Sequence, residues 1–249
     1  MTAAAPDGTP VAVVTGGTRG IGAALSRRLA EGGSRVVAVY RGDTAAAEAL
    51  AKEVDGIVPR QVDVGDPAAC AELVVSVVEE YGRLDHLVNN AGLLLEARST
   101  DTSPEDWERT LAVNLSAAFH LSRAAIPAMR EARYGRIVNV SSVTAVMGSP
   151  SEAAYGAAKA GLHGLTRSLA REVARAGVTV NTVVPGVFET DMTRSMPEKT
   201  QEAIRRMIPL GRRGDPAEMA AAIAFLLGPD GGYCTGSVLT VDGGLGMGG

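Results

Sequence analysis

Tyr155 and Lys159 stand four residues apart in "AAYGAAKAGL", a spacing that puts both on one face of a helix. A free phenol has a pKa of about 10 and carries protons poorly at neutral pH. A neighbouring ammonium stabilises the phenolate and lowers that value, giving a usable acid and base. Taken alone, such a pair is ordinary surface decoration. Its setting gives it meaning: the chain has 3 lysines against 21 arginines, and one falls here. A strand-like run, "VNVSS", ends at Ser141 and Ser142 just before this helix. Ser142 can hydrogen-bond a substrate oxygen as charge develops on it.

A second constellation lies near the start. "VAVVTGGTRGIGAAL" is a strand, a turn and a helix start, with Gly16, Gly20 and Gly22 spaced as GxxxGxG around Thr18, Arg19 and Ile21. Glycines let the backbone turn sharply and approach a pyrophosphate, whose charge is met by N–H groups at the helix N-terminus. In a dinucleotide fold an acidic residue ending the second strand binds the ribose diol of NAD. Here that strand ends "VVAVYRGD", with Tyr40 at the acidic position and Arg41 beside it. A guanidinium suits the 2′-phosphate of NADP(H), and Arg19 can close on the same group. Asp43 is the competing acid, should the strand end one turn later.

The elements that must position these residues alternate throughout. Runs at 11–15, 35–40, 56–64, 84–90, 135–141, 178–184 and 237–243 predict seven strands, and helical periodicity marks 20–32, 44–54, 67–81, 104–132, 152–176 and 216–228. Asp215-Pro216 with Glu218, Ser103-Pro104 and Asp66-Pro67 supply helix starts. Parallel neighbours need crossovers, and the crossovers here are helical. The expected fold is therefore α/β, a single-domain Rossmann-type doubly wound sheet of about seven parallel strands with helices on both faces. Residues 1–9 are expected to form a flexible tail and 10–249 one catalytic domain. The long irregular stretch 185–215, with a short helix near 197–207, is expected to be a substrate loop or lid.

Composition sets limits. With 249 residues, 46% hydrophobic, 21% charged and a net charge of -4, the chain has no basic footprint for nucleic acid or an anionic membrane. Cys70 and Cys234 lack metal or disulfide spacing, and no long apolar run or leader is present, so a cytoplasmic place is expected. His86, His120 and His163 show no ligand spacing, so no metal site is expected, and His163, one turn past Lys159, is expected to pack. Met192, Met196 and Met207 are candidates for an acyl pocket. Arg130, Arg133, Arg171 and Arg175 are candidates for docking an acidic carrier protein.

Together these residues resemble the short-chain dehydrogenase/reductase family from residue 10 to the C-terminus. "TGGTRGIG" is similar to its cofactor turn, "NNAG" (89–92, with Asn90, Ala91 and Gly92) to its fourth-strand motif, and "NVSS" with YxxxK to its active site. Tyr155 follows Ser142 by 13 positions, as the family expects. The resemblance implies that Asn114 of "VNLS" joins Ser142, Tyr155 and Lys159 in a tetrad and holds a water in the proton relay. It implies that Pro185, Gly186 and Thr190 meet the nicotinamide carboxamide, and that Asp63 and Val64 lie beside the adenine. Within the family, "GVFETDMT", "PLGRRGDPAEMAAAIAFLL" and "TGSVLTVDGG" are most similar to the 3-oxoacyl-acyl-carrier-protein reductases. That likeness implies NADPH-dependent ketone reduction, a homotetramer built on 104–132, 152–176 and the last strand, and a possible acyl carrier protein partner. Polyketide ketoreductases share the same core. Leu93, Leu94 and Leu95 depart from the group's usual polar run and are expected, with Met192, to border the substrate. An NAD(P)-linked dehydrogenase of a sugar, sterol or secondary alcohol, and a dinucleotide-binding regulator without chemistry, are the other readings.

Overall fold

A computed structural model describes residues 8–190, 193 and 197–247. Their seven strands are β1 (Val11–Thr15), β2 (Arg35–Tyr40), β3 (Ile57–Gln61), β4 (His86–Asn89), β5 (Gly135–Val140), β6 (Val178–Pro185) and β7 (Val238–Val241). All pair in parallel, in the order β3-β2-β1-β4-β5-β6-β7. The order reverses direction between β1 and β4, which opens a crevice at the strand C-terminal ends where such sheets bind ligands.

Helices cover both faces. On one side α3 (Pro67–Tyr81), α5 (Ala117–Glu131) and α7 (Ala153–Val173) bury Leu73, Val77, Leu121, Met129 and Leu169 against the sheet. On the other, α1 (Gly20–Glu31), α2 (Thr44–Glu53) and the helix Pro216–Leu227 bury Leu25, Leu50, Met219 and Ile223. The strands are apolar on both faces for this reason. The Asp43, Asp66, Ser103 and Asp215 side chains each accept a bond from a backbone N–H in the first turn of the helix they start, and Glu218 completes a capping box with Asp215.

Two elements depart from the sequence reading. The helix expected over 104–132 is broken: α4 (Pro104–Leu111) passes through a π-helical turn, Ala112–Ser116, before α5 begins. Such widened turns recur at functional sites, and this one carries Asn114. A one-turn helix, α6 (Thr144–Met147), lies between β5 and α7, where a loop is expected. Within the long stretch, α8 (Glu198–Met207) forms where a short helix is expected, and the helix Pro216–Leu227 is α9. The proposed tail falls largely on residues 1–7, outside the described residues, as do Met192 and Met196.

Candidate active site

The crevice is assembled from the ends of β1, β4, β5 and β6. After β1, Gly16 and Gly20 take φ of +62° and +52°, where L side chains are strained. A β-carbon on Gly17 would stand 2.6 Å from the Val14 carbonyl oxygen, so the turn leaves no room for any residue but glycine. After β4, Asn90 clamps this turn: its Nδ2 donates to the Thr15 and Gly16 carbonyls at 2.8 and 3.2 Å. The Asn90 and Ala91 N–H groups both donate to Thr15 Oγ1 at 2.9 Å. After β6, Gly186 presses against Asp242, and Thr190 stands over Gly20, whose β-carbon would meet Thr190 Cγ2 at 3.3 Å. Val143, next to Ser142, donates its N–H to the Pro185 carbonyl at 2.9 Å. The structure thus brings the glycine turn, 90–92, Ser142 and 185–190 to one place.

Tyr155 and Lys159 enter from α7. Ser142 lies beside Tyr155, close enough for its hydroxyl to pull the phenol pKa down. Lys159 is 3% exposed; its ammonium donates to the Val140 carbonyl at 2.8 Å and lies 5.7 Å from the centroid of the Tyr155 ring. Their spacing predicts a lowered phenol pKa, and the structure has the opposite sign. Burial pushes the Tyr155 phenol above its usual range against the pull of the Ser142 hydroxyl, and Glu152 adds to the rise. Burial also drives Lys159 down to about 8. The reason is geometric: the ammonium gives one of its N–H bonds to a backbone carbonyl and lies over the ring, so desolvation of both groups dominates.

Asn114 uses its side chain on the loop after β4. Its Oδ1 accepts from the Leu93 N–H at 3.1 Å, and its Nδ2 donates to the Leu93 and Thr110 carbonyls at 2.8 and 2.9 Å. This fixes Gly92, whose β-carbon would lie 3.3 Å from Asn114 Oδ1 and 3.7 Å from Lys159 Nζ. The three leucines separate here. Leu93 is half-buried and packs against the hydrophobic core, Leu94 is half-buried and Leu95 exposed.

At the far side of the glycine turn, Tyr40 is half-buried and Arg41 exposed. Arg19 bonds Asp43 at 3.3 Å, while Asp43 also caps α2, so this acid is occupied by an arginine. Asp63 accepts from the Gly65 N–H at 2.9 Å and from Arg109 at 2.6 Å. Burial works to raise its pKa, but these two donors hold the carboxyl below the ordinary range. Val64 is buried beneath it.

The sequence reading passed over several groups that hold this site. Thr15 opens the glycine-turn motif without a role of its own in the sequence reading, and Arg109 lies in no motif. Asn89, Asn139, Thr166 and Thr182 form a buried polar chain joining β4, β5, α7 and β6, through bonds of 2.8, 2.8 and 2.7 Å. The four arginines expected to dock a carrier are exposed, but they end α5 and α7 or follow them. These helices run back towards the strand N-terminal edge, and 15 residues of helix span about 22 Å. The four therefore lie at the edge opposite this chain's own crevice. Met207 is exposed on α8. Among the described residues no group of His, Cys, Asp or Glu is placed to hold a metal, and no helix is long and apolar enough to cross a membrane.

A solved Serratia marcescens short-chain dehydrogenase/reductase, a double mutant, superposes with a TM-score of 0.89 at 36% identity, over 95% of this chain and 98% of that one. A family model described as enoyl-(acyl carrier protein) reductase matches residues 16–246. The chain belongs to the short-chain dehydrogenase/reductase family. Its similarity extends to the 3-oxoacyl-[acyl-carrier-protein] reductase FabG of Vibrio cholerae, 41% identical over 95% of this chain and 97% of that protein. The FabG protein of Escherichia coli is 40% identical over 95% and 97%. The acetoacetyl-CoA reductase of Rhizobium meliloti is 41% identical over 94% and 97%. As a short-chain dehydrogenase/reductase the chain is an oxidoreductase that uses a nicotinamide dinucleotide. Its cradle fits that group, with Cβ-free glycines and helix N–H groups where a pyrophosphate must approach closely.

Proposed function

We propose that this protein is an NADPH-dependent ketoreductase that reduces the 3-oxo group of an acyl thioester, with acyl carrier protein as the thiol carrier. The observation that carries this reading is the meeting of Ser142, just after β5, with Tyr155 of α7, and the buried Lys159 one turn further along that helix. Two hydroxyl donors side by side suit an oxygen that gains negative charge, which carbonyl reduction creates.

NADPH, when bound, supplies the hydride that adds to the carbonyl carbon. Ser142 donates a hydrogen bond to the carbonyl oxygen. Tyr155 transfers its phenolic proton to that oxygen, completing the alcohol and leaving a phenolate. An alkoxide is a far stronger base than a phenolate, so the transfer runs downhill even from a phenol whose pKa burial has raised. Lys159 balances the phenolate and binds the nicotinamide ribose hydroxyls. Asn114 holds the loop after β4 and supports the water that returns a proton to Tyr155.

In the same reading Gly16, Thr18, Arg19, Gly20, Ile21, Gly22, Asn90, Ala91 and Gly92 hold the dinucleotide. Tyr40 and Arg41 meet its 2′-phosphate, Asp63 and Val64 its adenine, and Pro185, Gly186 and Thr190 its carboxamide. The substrate lies against Ser142, Tyr155, Leu93, Leu94 and Leu95 under the 185–215 loop of a single catalytic domain. We propose a homotetramer in the cytoplasm, built on α4, α5, α7 and the β7 edge, where Phe119 of α5 and Tyr233 just before β7 leave apolar surface open. A second copy can then carry the arginine ends of α5 and α7 to a neighbour's crevice.

The likeness to acetoacetyl-CoA reductases favours one second reading, in which the thioester is carried by coenzyme A. The decisive experiment follows NADPH oxidation with acetoacetyl-CoA and an acetoacetyl-carrier thioester, for wild type and Tyr155→Phe. The variant should bind NADPH as wild type does and lose turnover with both; near-wild-type turnover overturns the mechanism. A preference of kcat/KM for one thioester decides the carrier.

A further inference from the structure

We infer that His163 is a positioning residue for the proposed reduction: it locks Ser141 onto Lys159 and so sets the distance between the strand that carries Ser142 and the helix that carries Tyr155. The inference rests on the chemistry proposed above.

The reacting groups sit on different elements, with loop residues and the single turn α6 between them. Their alignment therefore depends on contacts between the end of β5 and the first turns of α7. Two such contacts converge on Lys159. Its ammonium donates to the Val140 carbonyl at 2.8 Å, and its own backbone carbonyl accepts from Ser141 Oγ at 2.9 Å. Val140 and Ser141 immediately precede Ser142, so these bonds pin the serine-bearing strand end to the lysine.

Ser141 has one hydroxyl proton, and it is spent on Lys159. Its oxygen lies 3.0 Å from Nε2 of His163, which must then be the donor, so the neutral imidazole carries its proton on Nε2. The result is a directed chain from His163 Nε2–H to Ser141 Oγ–H to the Lys159 carbonyl. Without the imidazole the Ser141 hydroxyl, which is 2% exposed, loses the partner that fixes its rotation. The strand end and helix then slip against one another, and small misplacements of reacting groups are costly in rate. His163 touches neither proposed reacting oxygen, so binding of nucleotide and thioester should survive its loss.

The test is a steady-state comparison of His163→Leu, His163→Gln, Ser141→Ala and the double variant Ser141→Ala/His163→Leu, with NADPH and acetoacetyl-CoA. Thermal melting accompanies each variant. His163→Leu should lower kcat by about tenfold with both KM values within about twofold of wild type, since the loss falls on alignment in the transition state. His163→Gln, whose amide can present an N–H where Nε2 stands, should restore kcat to within about threefold of wild type. The double variant should be no slower than Ser141→Ala alone, because both changes cut one chain. A His163→Leu enzyme within twofold of wild type, a Gln variant as slow as the Leu variant, or effects that multiply would each overturn the inference. If His163→Leu does not fold, the Gln rescue of wild-type kcat and the Ser141→Ala KM pattern still decide it. A fully active Tyr155→Phe overturns the underlying chemistry; an inactive Tyr155→Phe beside an unimpaired His163→Leu overturns this inference alone.

Discussion

Gly22 is set so close to Gly16 that a β-carbon on it would stand 2.0 Å from the Gly16 carbonyl oxygen and 2.7 Å from Asn90 Nδ2. Neither neighbour is a yielding side-chain tip: one is backbone, and the other is held by Thr15. Gly22→Ala should therefore push the turn off the end of β4. We expect a loss of about 1–3 kcal/mol in unfolding free energy, as for overpacked interiors, and at least about tenfold weaker NADPH binding. Urea unfolding and fluorescence titration check the two; a variant that binds NADPH as wild type does would show that the cradle is not where the pyrophosphate lies.

Lys159 gives a stability prediction whose sign can be worked out. In the unfolded chain a lysine titrates at about 10.4, and in the folded chain Lys159 titrates at about 8. Below pH 8 both states are charged, and the folded state bears the whole cost of the buried ammonium. Between about 8 and 10.4 the unfolded chain binds more protons, so this contribution to stability rises with pH. Lys159→Met, which removes the charge, should melt a few degrees above wild type at pH 7, on the order of 2 kcal/mol. The gain should shrink as pH approaches 10. Calorimetry at pH 7 and 9.5 measures it, and a variant less stable than wild type at pH 7 means the bond to Val140 outweighs the burial cost.

The same lysine shows what a sequence can and cannot say about such a site. The strands around "TGGTRGIG", "NNAG" and "NVSS" were legible because apolar runs buried on both faces announce themselves, and the caps at Asp66, Ser103 and Asp215 mark where helices start. That Tyr155 and Lys159 share a helix face followed from spacing alone. The sign of the phenol shift did not, because it depends on what covers α7 and on a backbone carbonyl, Val140, that no residue type advertises. The π-turn at Ala112–Ser116 was hidden for a similar reason: the residues flanking it are good helix formers, and only tertiary contacts through Asn114 widen the ladder. Leu93 and Leu95 are chemically identical, yet one lies against the core and one is exposed.

Protonation of Lys159 should also shape the rate. Reduction leaves a phenolate at Tyr155, and only the charged ammonium balances it. The Tyr155 phenol itself stays protonated beyond its ordinary range. The alkaline fall of kcat/KM should therefore follow the lysine, setting in as pH rises through about 8. Lys159→Arg retains its charge over this range. Its residual activity should lack the limb near 8 and decline only where the phenol ionises. A limb that stays in place in the arginine variant would assign it to another group.

Arg41 is the residue on which cofactor choice turns. It is exposed beside the end of β2, near enough to help hold the Asp63 carboxyl below its ordinary range, and Asp43 is engaged by Arg19 at 3.3 Å. A charge-assisted bond is worth about 1.5–3 kcal/mol, so Arg41→Ala should raise KM for NADPH by about 10–100-fold. KM for NADH should be unchanged, because the ribose 2′-hydroxyl offers the guanidinium no charge. The wild-type preference for NADPH should also weaken as salt is raised, since an exposed pair is screened within about 10 Å at 0.1 M. Parallel NADPH and NADH titrations at two salt concentrations separate these effects. If NADH binding falls as much as NADPH binding, Arg41 supports the turn and does not read the phosphate.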